Sequence, residues 1–148
     1  MDNTIAPTIR LITDADSEAL WRIRNLDSVR AASHSRTFIP RSVHNSWFLK
    51  YRANPNNTCW VVLVDKLVAG YCRVDNALVS IAIDQQFKGQ GLGKVLLIEV
   101  IHRSQQRWQI IKAEIQIENT ASLKLFELVG FKQTSVVNGY IYLEFHAA

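Results

Sequence analysis

The sequence predicts an α/β (α+β) fold: a mixed central sheet of six to seven strands with helices on both faces, formed by residues 1–148 as one domain. Three observations predict it. The runs 58–64 and 67–74 read as consecutive strands, and the first is apolar on both faces, with Cys59, Val61 and Leu63 on one and Trp60, Val62 and Val64 on the other. Layers must therefore cover the sheet on both sides. Strand and helix patterns alternate through the second half, which argues for a mixed sheet. The 148 residues, 48% hydrophobic and 20% charged, suit one globular domain that buries roughly two-thirds of its unfolded surface. No stretch reads as a linker, a repeat or a low-complexity segment.

Residues 8–12 open the chain as a short strand. Thr13 or Asp14 then caps a helix running to Arg24, with Asp16 and Glu18 placed well for the helix dipole. A second helix starts after Pro40 and Ser42, because Val43, Trp47, Phe48 and Tyr51 recur at helical spacing. Asn54-Pro55-Asn56-Asn57 is turn chemistry and ends it. The strands 58–64 and 67–74 join at Asp65-Lys66. A two-residue turn there pairs Val64 with Leu67, and counting outward sets Cys59 opposite Cys72 at a non-hydrogen-bonded site. That geometry permits a bond, but in a reducing cytosol two buried thiols are expected. Residues 77–84 form a third strand, followed by a glycine-rich turn and a helix over about 91–106. A strand over 112–117, a helix over 120–129 and closing strands over 132–137 and 140–145 complete the order.

Several functions have no support. No apolar run approaches the ~20 residues of a membrane helix, since 95–101 is interrupted by Glu99, and Met1-Asp2-Asn3-Thr4 lacks the start of a secretory signal. A cytoplasmic protein without a membrane partner is expected. Two cysteines make no disulfide framework, and neither they nor the scattered His34, His44, His102 and His146 stand at metal-ligand spacing, so no metal is expected. No Gly-x-Ser-x-Gly elbow is present. The charge is uneven: Arg22, Arg24, Arg30, Arg36, Arg41, Lys50 and Arg52 face a single acid, Asp27, between positions 22 and 52, while the rest of the chain is slightly acidic. This stretch is either a solvated basic face or a surface for an anionic ligand, arginine being suited to bidentate phosphate contacts. Nothing supports nucleic acid as the partner.

Lys88-Gly89-Gln90-Gly91-Leu92-Gly93-Lys94 lies between a strand and a helix. Glycines let the backbone approach a ligand, and the free amides at the helix start, with its dipole, form an anion site suited to a pyrophosphate. A plain tight turn also explains the glycines. A Walker loop fails, because Lys88 and Val95 stand where glycine and Ser/Thr are required. A dinucleotide fingerprint fails too, because only Leu92 separates Gly91 from Gly93. Further on, Asn119 caps the 120–129 helix, Gly130 suits its left-handed end and Phe131 folds back on its last turn.

Together these segments resemble the GNAT (Gcn5-related N-acetyltransferase) family. Its first motif, Gln/Arg-x-x-Gly-x-Gly/Ala, reads here Lys88-Gly-Gln-Gly91-Leu-Gly93. Its second, Asn-x-x-(Ala/Ser)-x-x-Leu-(Tyr/Phe)-x-x-x-Gly-Phe, is matched by Asn119, Ser122, Leu125, Phe126, Gly130 and Phe131. The resemblance implies a GNAT fold and acetyl-CoA bound across a splayed pair of strands. Main-chain groups of Ile81, Ala82 and Ile83 would face the pantetheine arm, and the amides of Gly89, Gln90, Gly91, Leu92, Gly93 and Lys94 would hold the pyrophosphate. Asn119 and Ser122 would touch the pantetheine or its phosphate, and Lys88, Lys94 and Lys124 would screen charge. Lys88 replaces the family's Gln/Arg and keeps the charge without the fork. Phe126 stands where many relatives carry a tyrosine proposed to protonate the departing thiolate. That proton must then come from water or from another residue such as Tyr140 or Tyr142, unless the thiolate leaves unassisted.

The segment Trp21-Arg-Ile-Arg24-Asn25, with Arg30, Ser33, His44, Trp47 and Phe48, is similar to bacterial transferases that acetylate the 4-amino group of nucleotide-linked sugars, as in pseudaminic acid synthesis. Family members acting on proteins share a looser version of this pattern. The resemblance implies a small anionic amine as substrate, held by Arg24, Asn25, Arg30, Ser33, His44, Trp47 and Phe48. His44 is the candidate proton acceptor, with His34 and Ser80 behind it. The expectation is an acetyl-CoA-dependent N-acetyltransferase, monomeric or homodimeric. A protein or small-molecule amine acceptor and a catalytically silent acyl-CoA-binding module are the alternatives.

Overall fold

The computed structural model describes residues 6–148; the tetrapeptide read above for a secretory signal lies outside them. Seven strands form one sheet: β1 (Thr8–Leu11), β2 (Asn57–Val64), β3 (Leu67–Asp75), β4 (Leu78–Ile83), β5 (Ile110–Gln116), β6 (Lys132–Val137) and β7 (Tyr140–His146). Their spatial order is β1-β2-β3-β4-β5-β7-β6. Only β4 and β5 run parallel; the other neighbours are antiparallel. The helices are α1 (Ser17–Arg24), α2 (Asp27–Ala32), α3 (Arg41–Ala53), α4 (Leu92–Ser104) and α5 (Thr120–Val129).

The two apolar faces of β2 each find a core. Val62 joins Cys72, Val74, Leu96, Leu97, Val100, Phe126 and Leu143 under α4 and α5. Cys59 and Val61 join Leu20, Ile23, Phe48, Tyr51, Tyr71 and Ala82 under α1 and α3. Leu20 and Ile23 are fully buried, each worth about 1.5–3 kcal/mol of transfer free energy.

Three details differ from the sequence reading. The predicted first helix divides into a 3₁₀ turn over Asp14–Asp16 and then α1. Asp16 holds the entry: its carboxylate accepts from the Thr13 backbone N–H at 2.8 Å, the Thr13 hydroxyl at 3.1 Å and the Arg10 guanidinium at 2.7 Å. The short helix α2 was not predicted, because none of its residues is buried and it carries no apolar stripe.

The third difference concerns the cysteines. Asp65 and Lys66 form the expected two-residue turn, with φ of 50° and 68°, and pair Val64 with Leu67. A bulge at Ala69 then shifts the register, so Cys59 faces Arg73 and Trp60 faces Cys72. One inserted residue moves a side chain to the other face of the sheet. Cys59 and Cys72 are therefore two free, buried thiols in opposite cores, and the pairing inferred from the turn does not form.

Candidate active site

The bulge also shapes the site. It frees the Ala69 carbonyl to accept the Asp84 amide at 2.7 Å and brings Gly70 opposite Ile83. A Cβ on Gly70 would lie 2.7 Å from the Ala82 carbonyl oxygen, so glycine permits this approach. β4 is thus tied to β3 along its whole length, from Leu78 to Ile83. β5 is tied equally to β7, from Ile110 to Gln116. Between them β4 and β5 pair only at Leu78 and Lys112, where the Lys112 amide donates to Ala77 at 2.8 Å. Past that point the two strands diverge, and a cleft of about 730 Å³ opens. Ser80, Ile81, Ala82 and Ile83 line one wall; Glu114, Ile115 and Gln116 line the other. The facing edges carry main-chain groups without a ladder, so an extended ligand can lie between them.

One end of the cleft is the glycine turn. Gly89 and Gly91 have φ of 83° and 73°, with open space where a Cβ would stand. Gly91 caps α4. Among the described residues the amides of Gly89, Gln90, Gly91, Leu92, Gly93 and Lys94 have no hydrogen-bond acceptor, and the α4 ladder begins with Val95 donating to Gly91. A run of free amides on a helix N-terminus fits a diphosphate. Leu92 is buried and offers only its amide, while a Cβ on Gly93 would lie 3.4 Å from the Leu125 side chain, where α4 meets α5. Lys88 lines the cleft; Lys94 and Lys124 are exposed and do not line it. Asn119 and Ser122 line it too, and the Asn119 side chain accepts the Ser122 amide at 3.3 Å.

Asp84, just before the turn, caps its first residues and pairs with Arg22 of α1. Burial pushes its carboxyl up, but the Arg22 guanidinium and the Gln86 contacts outweigh it and hold the pKa below the ordinary value.

In the middle of the cleft Phe126 offers a ring and no hydroxyl, set edge-on to Phe131 at 5.0 Å. Tyr140 and Tyr142 stand on β7 opposite Gln116 and Glu114, one strand from the cleft. His34 reaches across from the loop after α2, stacks on Tyr140 at 4.3 Å and places Nε2 3.1 Å from the Glu114 carboxylate. Glu114 is a site residue the sequence reading missed. Its signal was a charged residue alternating with the apolar Ala113 and Ile115.

The acceptor-side expectations divide. Arg24, Arg30 and Ser33 line the cleft, as does Ser80. Arg30 is already engaged with Asp27 at 2.6 Å and with the Asn25 carbonyl. Asn25 does not line it: its amide clamps Ile39 through bonds of 2.8 and 3.0 Å, fastening the segment after α2 to α1. His44, the candidate proton acceptor, is 1% exposed. Arginine can only donate, so His44 Nδ1 accepts from Arg24 at 3.0 Å, and Nε2–H donates to the Ser17 carbonyl at 2.9 Å. Burial and the adjacent Arg24 lower its pKa. Both ring nitrogens are taken, which leaves none for a substrate proton. Phe48 is buried in the α1–α3 core, and Trp47 is covered by the Arg24 guanidinium at 3.9 Å. Neither lines the cleft, so neither is placed to stack on an acceptor ring.

The basic stretch is also largely spent on structure. Arg22 pairs with Asp84, Arg41 with Glu18, and Arg52 donates to the Ile12 carbonyl at 2.7 Å. Arg73, outside that stretch, lines the cleft instead.

Known proteins share this architecture. The Acetyltransferase (GNAT) family matches residues 18–131. The [Ribosomal protein bS18]-alanine N-acetyltransferase of Salmonella typhimurium is 26% identical over 90% of this chain and 86% of its own. Among solved structures, the ribosomal-protein-alanine N-acetyltransferase of Brucella melitensis superposes with a TM-score of 0.83 at 23% identity, covering 95% of this chain and 99% of the other. YncA of Salmonella typhimurium, solved with its cofactor acetyl-CoA, does so at 0.82 and 21% identity, covering 96% and 94%. The unladdered strand pair, the free amides at its end and the family match over most of the chain lead to one conclusion: the chain belongs to the GNAT acetyltransferase family, whose acyl donor is acetyl-CoA.

Proposed function

We propose that the protein transfers the acetyl group of acetyl-CoA to a primary amine of an anionic acceptor that enters from the α1–α2 side. The observation that carries this reading is the opening of β4 from β5 with free amides at its α4 end. When bound, acetyl-CoA supplies an activated acetyl thioester. The amides from Gly89 to Lys94, with Lys88 beside them, would hold its diphosphate. The free edge at Ile81, Ala82 and Ile83 would meet the pantetheine amides, with Asn119 and Ser122 facing it across the cleft.

The amine must reach the thioester neutral, so its proton needs an acceptor in the cleft. Glu114, hydrogen-bonded to His34, fills that role in place of His44. Ser80, on the β4 wall, helps orient the acceptor. Tyr140, stacked on His34, is the candidate donor for the departing thiolate now that Phe126 supplies none.

A nucleotide-linked amino sugar is the finer acceptor that the N-terminal resemblance supports. A protein N-terminus is the second reading, favoured by the ribosomal-protein-alanine relative that aligns with 90% of this chain. Release of CoA thiol with UDP-linked 4-amino sugars, alanine-terminated peptides and simple amino acids tests both. Turnover with any amine supports acetyl transfer, and the sugar arm against the peptide arm decides the acceptor. Tight binding of acetyl-CoA with no thiol release from any amine would leave the acyl-CoA-binding module instead.

A further inference from the structure

Among the described residues two buried side-chain polar atoms have no hydrogen-bond partner: Ser28 Oγ and Arg73 Nε. Both residues line the same cleft, on the acceptor side. Arg73 lies on β3 opposite Ser80, and its side chain is 20% exposed. Arg24 comes from the end of α1, and both guanidiniums rest on the Trp47 ring, 3.9 and 5.2 Å from its centre. Arg24 has no carboxylate within ion-pair range among the described residues; its partner is the neutral His44. The acid nearest Arg73 is Asp75 at 3.8 Å, and the other Asp75 oxygen already accepts the Tyr51 hydroxyl at 2.6 Å. Tyr71, Tyr51 and Cys59, the other titratable groups against Arg73, are held neutral by burial. Within ion-pair range the two guanidiniums meet one carboxylate, Asp75, while Glu114 of the same cleft is engaged with His34; the unmatched positive charge is a costly arrangement unless an anion completes it.

We infer that Arg24 and Arg73 form the binding site for one carboxylate carried by the acceptor amine. The inference rests on the acetyl-transfer reading for the word acceptor, and on the two arginines for the rest. A carboxylate matches the planar guanidinium fork and cancels the one residual charge. A nucleotide sugar's diphosphate carries two negative charges, one more than the pair has left after Asp75, and Arg22, Arg30, Arg41 and Arg52 are engaged elsewhere. Ser28 Oγ, unpartnered in the same wall, is a further polar contact for the acceptor.

The test has a binding arm and a turnover arm. In the first, protein saturated with CoA is titrated with sodium propionate and with propionamide, and the indole fluorescence is followed because Trp47 touches both guanidiniums. Propionate is expected to bind and propionamide is not. Arg73→Gln should weaken propionate about 10- to 100-fold, the loss of a hydrogen bond to a charged group, with CoA affinity retained. Arg73→Lys, which keeps the charge without the fork, should fall between the two. In the second arm, the twenty amino acids are compared with their carboxamides and with a UDP-linked 4-amino sugar. Preference for an acid over its amide, lost in Arg73→Gln, supports the site. Equal binding of propionate and propionamide, or turnover indifferent to the carboxylate, overturns it while acetyl transfer stands. Propionate binding with no turnover of any amine would sink acetyl transfer and keep the anion site. Turnover confined to the amino sugar and unaffected in Arg73→Gln would replace the carboxylate with a diphosphate held elsewhere.

Discussion

At the α4 end of the cleft the groups on offer are main-chain amides of one unbroken stretch, Gly89 to Lys94. At the α1 end they are side chains collected from separate segments: Arg24 from α1, Ser28 from α2, Arg73 from β3 and Glu114 from β5. The first end needs only glycines at two left-handed positions and a helix start, so its chemistry is written in adjacent residues. The second needs the β2–β3 bulge and the Asn25–Ile39 clamp before its parts meet. The division suits a common acyl donor proposed to meet backbone and a particular acceptor proposed to meet side chains. Changes at the α1 end should alter which amine reacts and how fast, and changes at the α4 end should alter affinity for the donor.

The largest expected effect lies on the α1 side. Glu114→Gln keeps the shape and removes the proposed base, so kcat should fall roughly 10²–10⁴-fold while acetyl-CoA affinity, measured by calorimetry, stays within about twofold. A parallel loss of donor affinity would blur the boundary between the two ends. Next is Gly91→Val. A β-branched residue at φ 73° must strain or reshape the turn, and the misplaced amides should cost on the order of 100-fold in CoA affinity. Turnover at saturating donor should survive better than affinity does.

His44→Gln sharpens the line from the other direction, because His44 sits near the α1 end without belonging to its chemistry. The profile of kcat against pH from 6 to 9 should keep its shape, while the fold loses about 1–3 kcal/mol from disturbed buried bonds to Ser17 and Arg24, read from chemical denaturation. A flattened pH profile would return His44 to the mechanism.

The smallest effect is on stability against pH, and it has two stages. The His44 pKa is lowered in the fold, so the unfolded chain binds the extra proton and stability drops as pH falls below about 6.5. Asp16 and Asp84 also have lowered pKa values, burial being outweighed by Arg10 and by Arg22 respectively. Their contribution is present above about pH 4 and is lost below it as they take up protons. Thermal melts between pH 7 and pH 3 should show both stages, and His44→Gln should erase only the first.

Legibility in the sequence followed the same division. The α5 helix fell where its cap, Asn119, and its terminator, Gly130, placed it, and both faces of β2 are covered as their apolar pattern requires. The glycine turn was legible because its chemistry is local. The cysteine pairing failed because the Ala69 bulge carries no mark strong enough to be counted, and one residue of slip carried Cys59 and Cys72 to opposite cores. His44, Trp47 and Phe48 looked functional because aromatic residues and histidine at helical spacing serve a core and a binding face alike; only burial separates the two. Arg73 was passed over inside a strand otherwise read as apolar, and its importance arises from Arg24, 49 positions away in the chain and joined to it only by the fold.

The central claim is that the main chain from Gly89 to Lys94 holds the diphosphate of the donor. It is tested most directly by amide NMR of ¹⁵N-labelled protein titrated with CoA and, separately, with pantetheine, which lacks the diphosphate. Large downfield shifts of the Gly89–Lys94 amides are expected with CoA and far smaller ones with pantetheine. Unmoved amides at saturating CoA, or equal shifts with both ligands, would contradict it.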